Sequence, residues 1–141
     1  MLSTRLGGRG LATADRERGS ASVELVIVFP ALLLIVTALI QYALWFHARS
    51  LALAAAQEAV TVARAYGSDP AAGPDVALQF IAAHGADTLL APTATVSSPA
   101  VGQVRVEVAG TALSILPGVA GPAVSQSAAG PVERFTTAGA P

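Results

Sequence analysis

The chain has 141 residues, enough for one domain at most, and 53% of them are hydrophobic although only 12% are charged. A formal net charge of -1 argues for neither nucleic acid nor an anionic surface as the main partner. Because cysteine is absent, a disulfide framework, a thiolate metal site and a cysteine nucleophile are all excluded. The composition indicates a membrane segment joined to a lightly built domain.

The first apolar element is a run of 22 residues, 25–46, that contains no charged residue. As a helix it is roughly 33 Å long, which matches the hydrocarbon core of a bilayer. Tyr42 and Trp45 fall near its end as interfacial anchors, and four arginines precede it: Arg5, Arg9, Arg16 and Arg18. This asymmetry predicts a single-pass protein of the cell membrane, with a cytoplasmic N-terminus and an extracytoplasmic C-terminal domain.

A secretory signal peptide is a second interpretation of the same run. The stretch LALAAA, residues 51–56, contains an A-x-A pattern that a signal peptidase could accept. However, the apolar region of a signal peptide is about 7 to 15 residues long. His47 and Arg49 also follow the run before that pattern. The sequence therefore favours a retained membrane helix.

Glu24 places a carboxylate where the apolar run begins, at a depth where a charge is costly to keep. A cut after Gly19 would make Ser20 the first residue of the mature chain and Glu24 the fifth. This G-x-x-x-x-E arrangement, at the junction of a basic leader and an apolar helix, resembles the processing site of type IV prepilins. The simpler alternative is that the carboxylate snorkels to the cytoplasmic interface.

The resemblance extends from Gly19 to Tyr66, roughly a third of the chain. The stretch VELVIVFPALLL, in which Pro30 follows Glu24 by six residues, continues into the alanine-rich LALAAAQEAVTVARAYG. Together they resemble the N-terminal module of the TadE-like pseudopilins of Tad/Flp-type pilus systems. Because major Flp pilins are very short after processing, the resemblance implies a minor, pilin-like structural component.

The resemblance also implies partners for the chain. They are a prepilin peptidase, the major Flp pilin, other pseudopilins and the inner-membrane pilus assembly platform, with incorporation into a pilus as the implied use. In pilins generally, the glutamate meets the N-terminal amine of a neighbouring subunit. Within one chain, residues four apart lie on the same helix face, so Glu24 can also pair with the Ser20 amine. The alternative is an unprocessed, membrane-anchored binding or regulatory protein of the cell envelope.

Pro30 lies inside the apolar run. Its missing N–H leaves the Val26 carbonyl without its helical partner, so a kink is predicted there. In pilin-like proteins such a point lets the helix change shape as it leaves the bilayer for the filament. Plain tolerance of proline in membrane helices explains its presence equally well.

The helix is predicted to continue from His47 to Tyr66, with mostly small residues at three- and four-residue spacing. They are Ala48, Leu51, Ala52, Ala55, Ala59, Val62, Ala63 and Tyr66. Such a stripe allows close packing, either on a neighbouring pilin helix or on the chain's own domain. The sequence GSDP, residues 67–70, is predicted to end the helix.

The rest of the chain predicts a small domain of one helix and a few strands. The helix is GPDVALQFIAAHGAD, with Val76, Phe80, Ile81 and His84 inward. TATV and QVRVEVAG predict two strands joined by a hairpin loop, and Val104, Val106 and Val108 share one face. The stretch PGVAGPAVSQSAAGP predicts a loop, and SAAGPVERF is a candidate last strand that weakly resembles the C-terminal segment of some TadE-like proteins.

No arrangement of residues predicts catalysis, a metal site or a cofactor. The two histidines, His47 and His84, are far apart, and the sequence contains neither a phosphate-binding glycine loop nor a nucleophile elbow. Three aspartates are predicted to be turn or cap residues: Asp69, Asp75 and Asp87.

The predicted fold class is therefore α+β and membrane-anchored. A cytoplasmic leader covers residues 1–19, and a transmembrane and extended helix covers 20–66. Residues 67–141 form a small extracytoplasmic domain with a short helix and a β-hairpin or small antiparallel sheet.

Overall fold

The elements follow the chain as two helices and then three strands. The computed structural model describes residues 11–65 and 67–133, with side chains from Val23 onward. In chain order the elements are α1 (Leu11–Ala63), a 3₁₀ turn (Pro70–Ala72), α2 (Gly73–Gly85), β1 (Leu89–Ser97), β2 (Gln103–Ala112) and β3 (Ala123–Pro131). The predicted α+β class with a long N-terminal helix is confirmed. The chain divides into two compact units, residues 1–39 and 40–141, and α1 contributes to both.

The first unit contains most of the apolar run of α1, residues 25–39, and its large side chains are uncovered. Its described large apolar side chains are 43% to 72% exposed, a larger apolar surface than soluble proteins normally leave in water. Within the described residues, one helix is long and apolar enough to cross a membrane, and its candidate span is Val23–Ala63. The Thr37 hydroxyl donates to the Leu33 carbonyl at 2.8 Å, so this polar group is satisfied inside the helix. These features fit a single-pass membrane anchor.

In the second unit, α1 forms one wall of the hydrophobic core. Its buried face consists of Ala48, Leu51, Ala52, Ala55, Ala56, Ala59, Val60 and Ala63. The face belongs to one cluster with buried residues of α2 and of the sheet, so the small-residue stripe packs on the chain's own domain. Two details of the predicted stripe differ. Val62 is 37% exposed at the edge of this face, whereas Ala56 and Val60 belong to it.

Small residues on both sides let the elements approach α1 closely. A Cβ atom added to Gly73, at the start of α2, would lie 3.4 Å from the Cβ of Ala63. A Cβ atom added to Gly130, in β3, would lie 3.2 Å from a methyl group of Val60. Because contacts this short leave little room for larger side chains, the alanine content of the helix is a packing requirement.

Replacing Ala59 with leucine should therefore destabilise the second unit by about 1–3 kcal/mol through overpacking. The same replacement at Ala82, which is exposed on α2, should change the free energy of unfolding by less than about 0.5 kcal/mol. Urea unfolding in detergent, followed by the fluorescence of the chain's one tryptophan, Trp45, measures both variants. Equal effects at the two positions would contradict tight packing of α1 on the domain.

Helix α1 ends three residues earlier than predicted. Its last residue is Ala63, and Tyr66 lies outside the described residues. The predicted glycine stop is present, since Gly67 has a φ of 76°. The Ser68 hydroxyl lies 2.8 Å from the Val62 carbonyl and 2.6 Å from that of Ala65, so it satisfies carbonyls that the helix end leaves free.

Helix α2 begins as predicted, with a proline in its first turn, and ends at Gly85. Ala77 and Ile81 are its buried apolar side chains, and Val76 and Phe80 are half-buried against the core. The prediction that His84 faces inward is wrong. His84 is exposed, and its ring stacks on Phe80 with ring centroids 4.2 Å apart and Nδ1 at 2.9 Å from the Phe80 carbonyl oxygen.

The three strands form an antiparallel sheet in the order β1–β2–β3. The alternation predicted for β2 is confirmed, because its three valines (Val104, Val106 and Val108) are fully buried whereas Arg105 and Glu107 are exposed. Strand β1 starts earlier than predicted, at Leu89, and its pairing with β2 shifts register between Leu90 and Thr93. This bulge lets the buried Leu89 extend the core beyond the regular part of the strand.

Strand β3 corrects the loop prediction. The nine residues Ala123–Pro131 pair with β2, from Ala123 opposite Thr111 to Pro131 opposite Gln103. They are mostly small or polar, and Val124 is the buried apolar residue among them. Pairing with β2 therefore overrides a weak local preference for strand. The predicted last strand begins four residues too late, and residues 134–141 lie outside the described part.

Candidate functional site

The predicted processing position lies inside helix α1. The helix begins at Leu11 and passes through Gly19 and Ser20 without a break, while residues 1–10 and the side chains of 11–22 are outside the description. Glycine is a poor helix former, by about 1 kcal/mol relative to alanine. Since Ser20 and Glu24 are both helical, their backbones lie one turn apart, about 6 Å along the axis. The helix thus places these two residues on one face.

Glu24 has no cationic side chain among its helical neighbours. The residues three and four positions away are Ser20, Ala21, Ile27 and Val28, and the whole segment 19–46 contains no other charged residue. Glu24 itself is exposed, as are the apolar side chains that flank it. On this helix, a positive charge within reach of the carboxylate could come from a free amine on Ser20.

Pro30 lies within α1, and the helix continues on both sides of it. An open groove beside the proline is lined by Leu25, Val26 and Phe29, and its surface is almost entirely apolar. The groove can accept lipid chains or apolar side chains, but it offers no polar group for a specific ligand. The kink at Pro30 stays a prediction.

A second cluster of polar contacts joins α1 to the connection between β2 and β3. The Gln41 amide donates from Nε2 to the Leu113 carbonyl at 3.0 Å, and its Oε1 accepts from the Ile115 N–H at 3.1 Å. The Trp45 indole N–H donates to the Ala123 carbonyl at 3.3 Å. Both ends of the connection are therefore tied to the helix.

Sequence reasoning missed the role of Gln41. The signal was present, since a glutamine inside an apolar run must find hydrogen-bond partners when water is excluded. Trp45 was predicted as an interfacial anchor, and its ring has both an aromatic and a cationic neighbour. Its ring lies 5.9 Å from that of Tyr42, and the Arg49 guanidinium carbon lies 5.5 Å from its ring centroid.

The described residues contain no group of three or more histidine or acidic side chains that could hold a metal ion. Asp69 acts as a cap, as predicted, because its carboxylate accepts from the Ala71 N–H at 2.9 Å. Asp75 lies in the first turn of α2, where its negative charge interacts favourably with the helix dipole. Asp87 lies in the turn that follows the helix. His47, like His84, is exposed. The three aspartates therefore have structural explanations.

Comparison with known families identifies the N-terminal module. Residues 19–61 match the family model TadE, described as TadE-like protein. The match starts at Gly19 and includes Glu24 and Pro30, so the predicted resemblance to the TadE-like family is confirmed for this segment. The match ends within α1, and α2 and the sheet lie outside it. No curated protein and no solved structure matches the chain.

Proposed function

We propose that this protein is a minor pilin-like component that takes part in assembling a Tad/Flp-type pilus, the kind of system with which the TadE-like family is associated. The observation that carries the proposal is the isolation of Glu24. Its helical neighbours offer no cation. Cleavage after Gly19 would create one, the α-amine of Ser20, four residues before Glu24. A charge kept at the start of an apolar helix without a partner needs such an explanation.

In this proposal, a prepilin peptidase cuts after Gly19 on the cytoplasmic side. The new α-amine on Ser20 is mostly protonated near neutral pH, because its reference pKa is about 7.7 to 8.0. Before assembly the amine and Glu24 pair within one chain, one helical turn apart. During assembly the carboxylate meets the amine of a neighbouring subunit, which fixes the axial register of apolar helices that could otherwise slide.

The peptidase must open the helix locally, since α1 is continuous through the cleavage position. Gly19, Ser20 and Ser22 all favour helix less than alanine does, so local unwinding there costs little. After cleavage, the protein remains in the membrane as a pool, with its C-terminal domain outside. Assembly then takes the protein from that pool. It involves the major pilin, other pseudopilins and the inner-membrane platform.

The continuity of α1 from Leu11 through Gly19 also favours a second candidate function. An unprocessed chain could use the same helix as an anchor and present the C-terminal domain as a binding or regulatory module of the envelope. In that case Glu24 snorkels to the interface and has no assembly role.

The mature N-terminus separates the two functions. In cells with an active prepilin peptidase, intact-protein mass spectrometry should show a chain that begins at Ser20. Replacing Gly19 with valine should leave most of the protein uncut, because a branched side chain would occupy the residue next to the scissile bond. Valine in place of Gly10, in the same leader, should not affect cleavage. An intact Met1 terminus in cells that process their major pilin would favour the anchor.

A further inference from the structure

We propose that the connection between β2 and β3, residues 113–122, is a second membrane contact. It inserts into the bilayer surface that surrounds the C-terminal end of the apolar run, and we call it the apolar loop. The inference rests on the membrane-anchor part of the proposed function and is independent of the pilus role. Its occupant is lipid, as the exposure, depth and hydrogen bonding of the loop indicate.

The apolar loop exposes large side chains in a region without charge. Ile115 is 39% exposed, Leu116 46% and Val119 55%. The chain has no charged residue or histidine between Glu107 and Glu133. Three exposed large apolar side chains in one uncharged loop are typical of a contact surface.

The hydrogen bonds of Gln41 set the depth of the loop. Gln41 lies five residues before Phe46, the last residue of the apolar run, which corresponds to about 7.5 Å along the helix. Its amide holds the backbone of Leu113 and Ile115 at that level. A helix that spans the bilayer therefore carries the loop to the headgroup and acyl boundary, at the depth of about 5–10 Å where interfacial segments bind.

Three backbone N–H groups of the loop have partners inside the protein. The N–H groups of Ile115, Leu116 and Val119 donate to Gln41 Oε1, Ser114 Oγ and the Leu116 carbonyl at 3.1, 3.2 and 3.2 Å. Two prolines in the loop have no N–H to satisfy. Pairing of these three donors lowers part of the cost of moving the loop backbone out of water, which favours a position against lipid.

Because the chain contains no cysteine, a single introduced cysteine can be labelled specifically. Leu116→Cys and Val101→Cys can each carry an environment-sensitive fluorophore on the full chain reconstituted into phosphatidylcholine vesicles. Val101 is the control, since it is 95% exposed in the turn between β1 and β2, at the opposite end of β2. Quenching by groups attached to the lipid acyl chain reports contact with the bilayer. Quenching by iodide in the buffer reports contact with water.

We expect the fluorophore at position 116 to be quenched by lipid and to be several-fold less sensitive to iodide than the one at position 101. Equal iodide sensitivity at the two positions would overturn the proposal. Protection from iodide without lipid quenching would also overturn it, because the loop would then be covered by protein. Vesicles contain no pilus components, so neither result depends on the pilus role, and co-flotation with the vesicles separately reports helix insertion.

A second variant tests the tether. Gln41→Leu keeps the helix apolar but removes both hydrogen bonds to the loop, so iodide sensitivity at position 116 should rise. Thr37→Val is the matched control, because the Thr37 hydroxyl bonds the Leu33 carbonyl of its own helix. If iodide sensitivity at position 116 is unchanged in Gln41→Leu, the claim that Gln41 sets the depth of the loop is overturned.

Discussion

Replacing Glu24 with glutamine should abolish incorporation of the protein into a pilus while leaving membrane insertion and cleavage after Gly19 largely intact. The substitution keeps the size of the side chain but removes its charge. In the proposed mechanism, the Ser20 amine of a neighbouring subunit then has no partner among packed apolar helices. The measurements are recovery of the protein with sheared pili and piliation by electron microscopy, in cells that make only the variant.

Glu58→Gln is the matched control for this experiment. Glu58 is an exposed carboxylate on the same helix and lies beyond the apolar run, so its loss should not affect assembly. Normal piliation and normal recovery of Glu24→Gln would exclude charge pairing as the mechanism. That outcome would favour the membrane-anchored binding protein, for which removal of an interfacial carboxylate is silent.

Gly121→Ala should cause the largest loss of stability among single-methyl additions in the second unit. A Cβ atom at position 121 would clash with the carbonyl oxygen of Ala112 and would lie 2.8 Å from its carbonyl carbon. Both are backbone atoms at the end of β2, where the Ala112 N–H also donates to the Pro122 carbonyl at 3.0 Å. Since no side-chain movement can relieve the clash, we expect a loss of about 3 kcal/mol or more.

Trp45 reports this change directly, because its indole N–H donates to Ala123, two residues after the substitution. Urea unfolding followed by Trp45 fluorescence should give a clearly lower midpoint for Gly121→Ala. Gly118→Ala serves as the control. Its Cβ would enter open space, so the cost, about 1–2 kcal/mol, comes from its φ of 75° alone. Similar losses for the two variants would show that the chain relaxes around position 121.

Local patterns predicted the parts of this fold that local chemistry determines. The uncharged run 25–46 required a membrane-length helix, and the alternating valines of β2 required a half-buried strand. The spacing of Gly19 and Glu24 is also local, so the candidate site was visible in the sequence. Its cleavage and pairing depend on other proteins and stay predictions.

The features that sequence reasoning missed depend on contacts between distant residues. Strand β3 has few apolar residues, and it forms because β2 offers a second edge with which to pair. The partners of Gln41 lie 72 and 74 residues further along the chain. Glutamine in an apolar run signals that a partner exists, but periodicity cannot identify that partner.

The use of α1 as a wall of the core imposes an order on folding. Half of the buried hydrophobic residues in the described part of the chain belong to this helix, and the rest follow on α2 and the strands. Because synthesis proceeds from the N-terminus, the alanine face of α1 emerges first and stays uncovered until the sheet arrives. Strand β3 is the last described element, so the core cannot close until residues 123–131 have been made. A chain that stalls before β3 is complete therefore leaves its alanine face uncovered, and proteases can remove it.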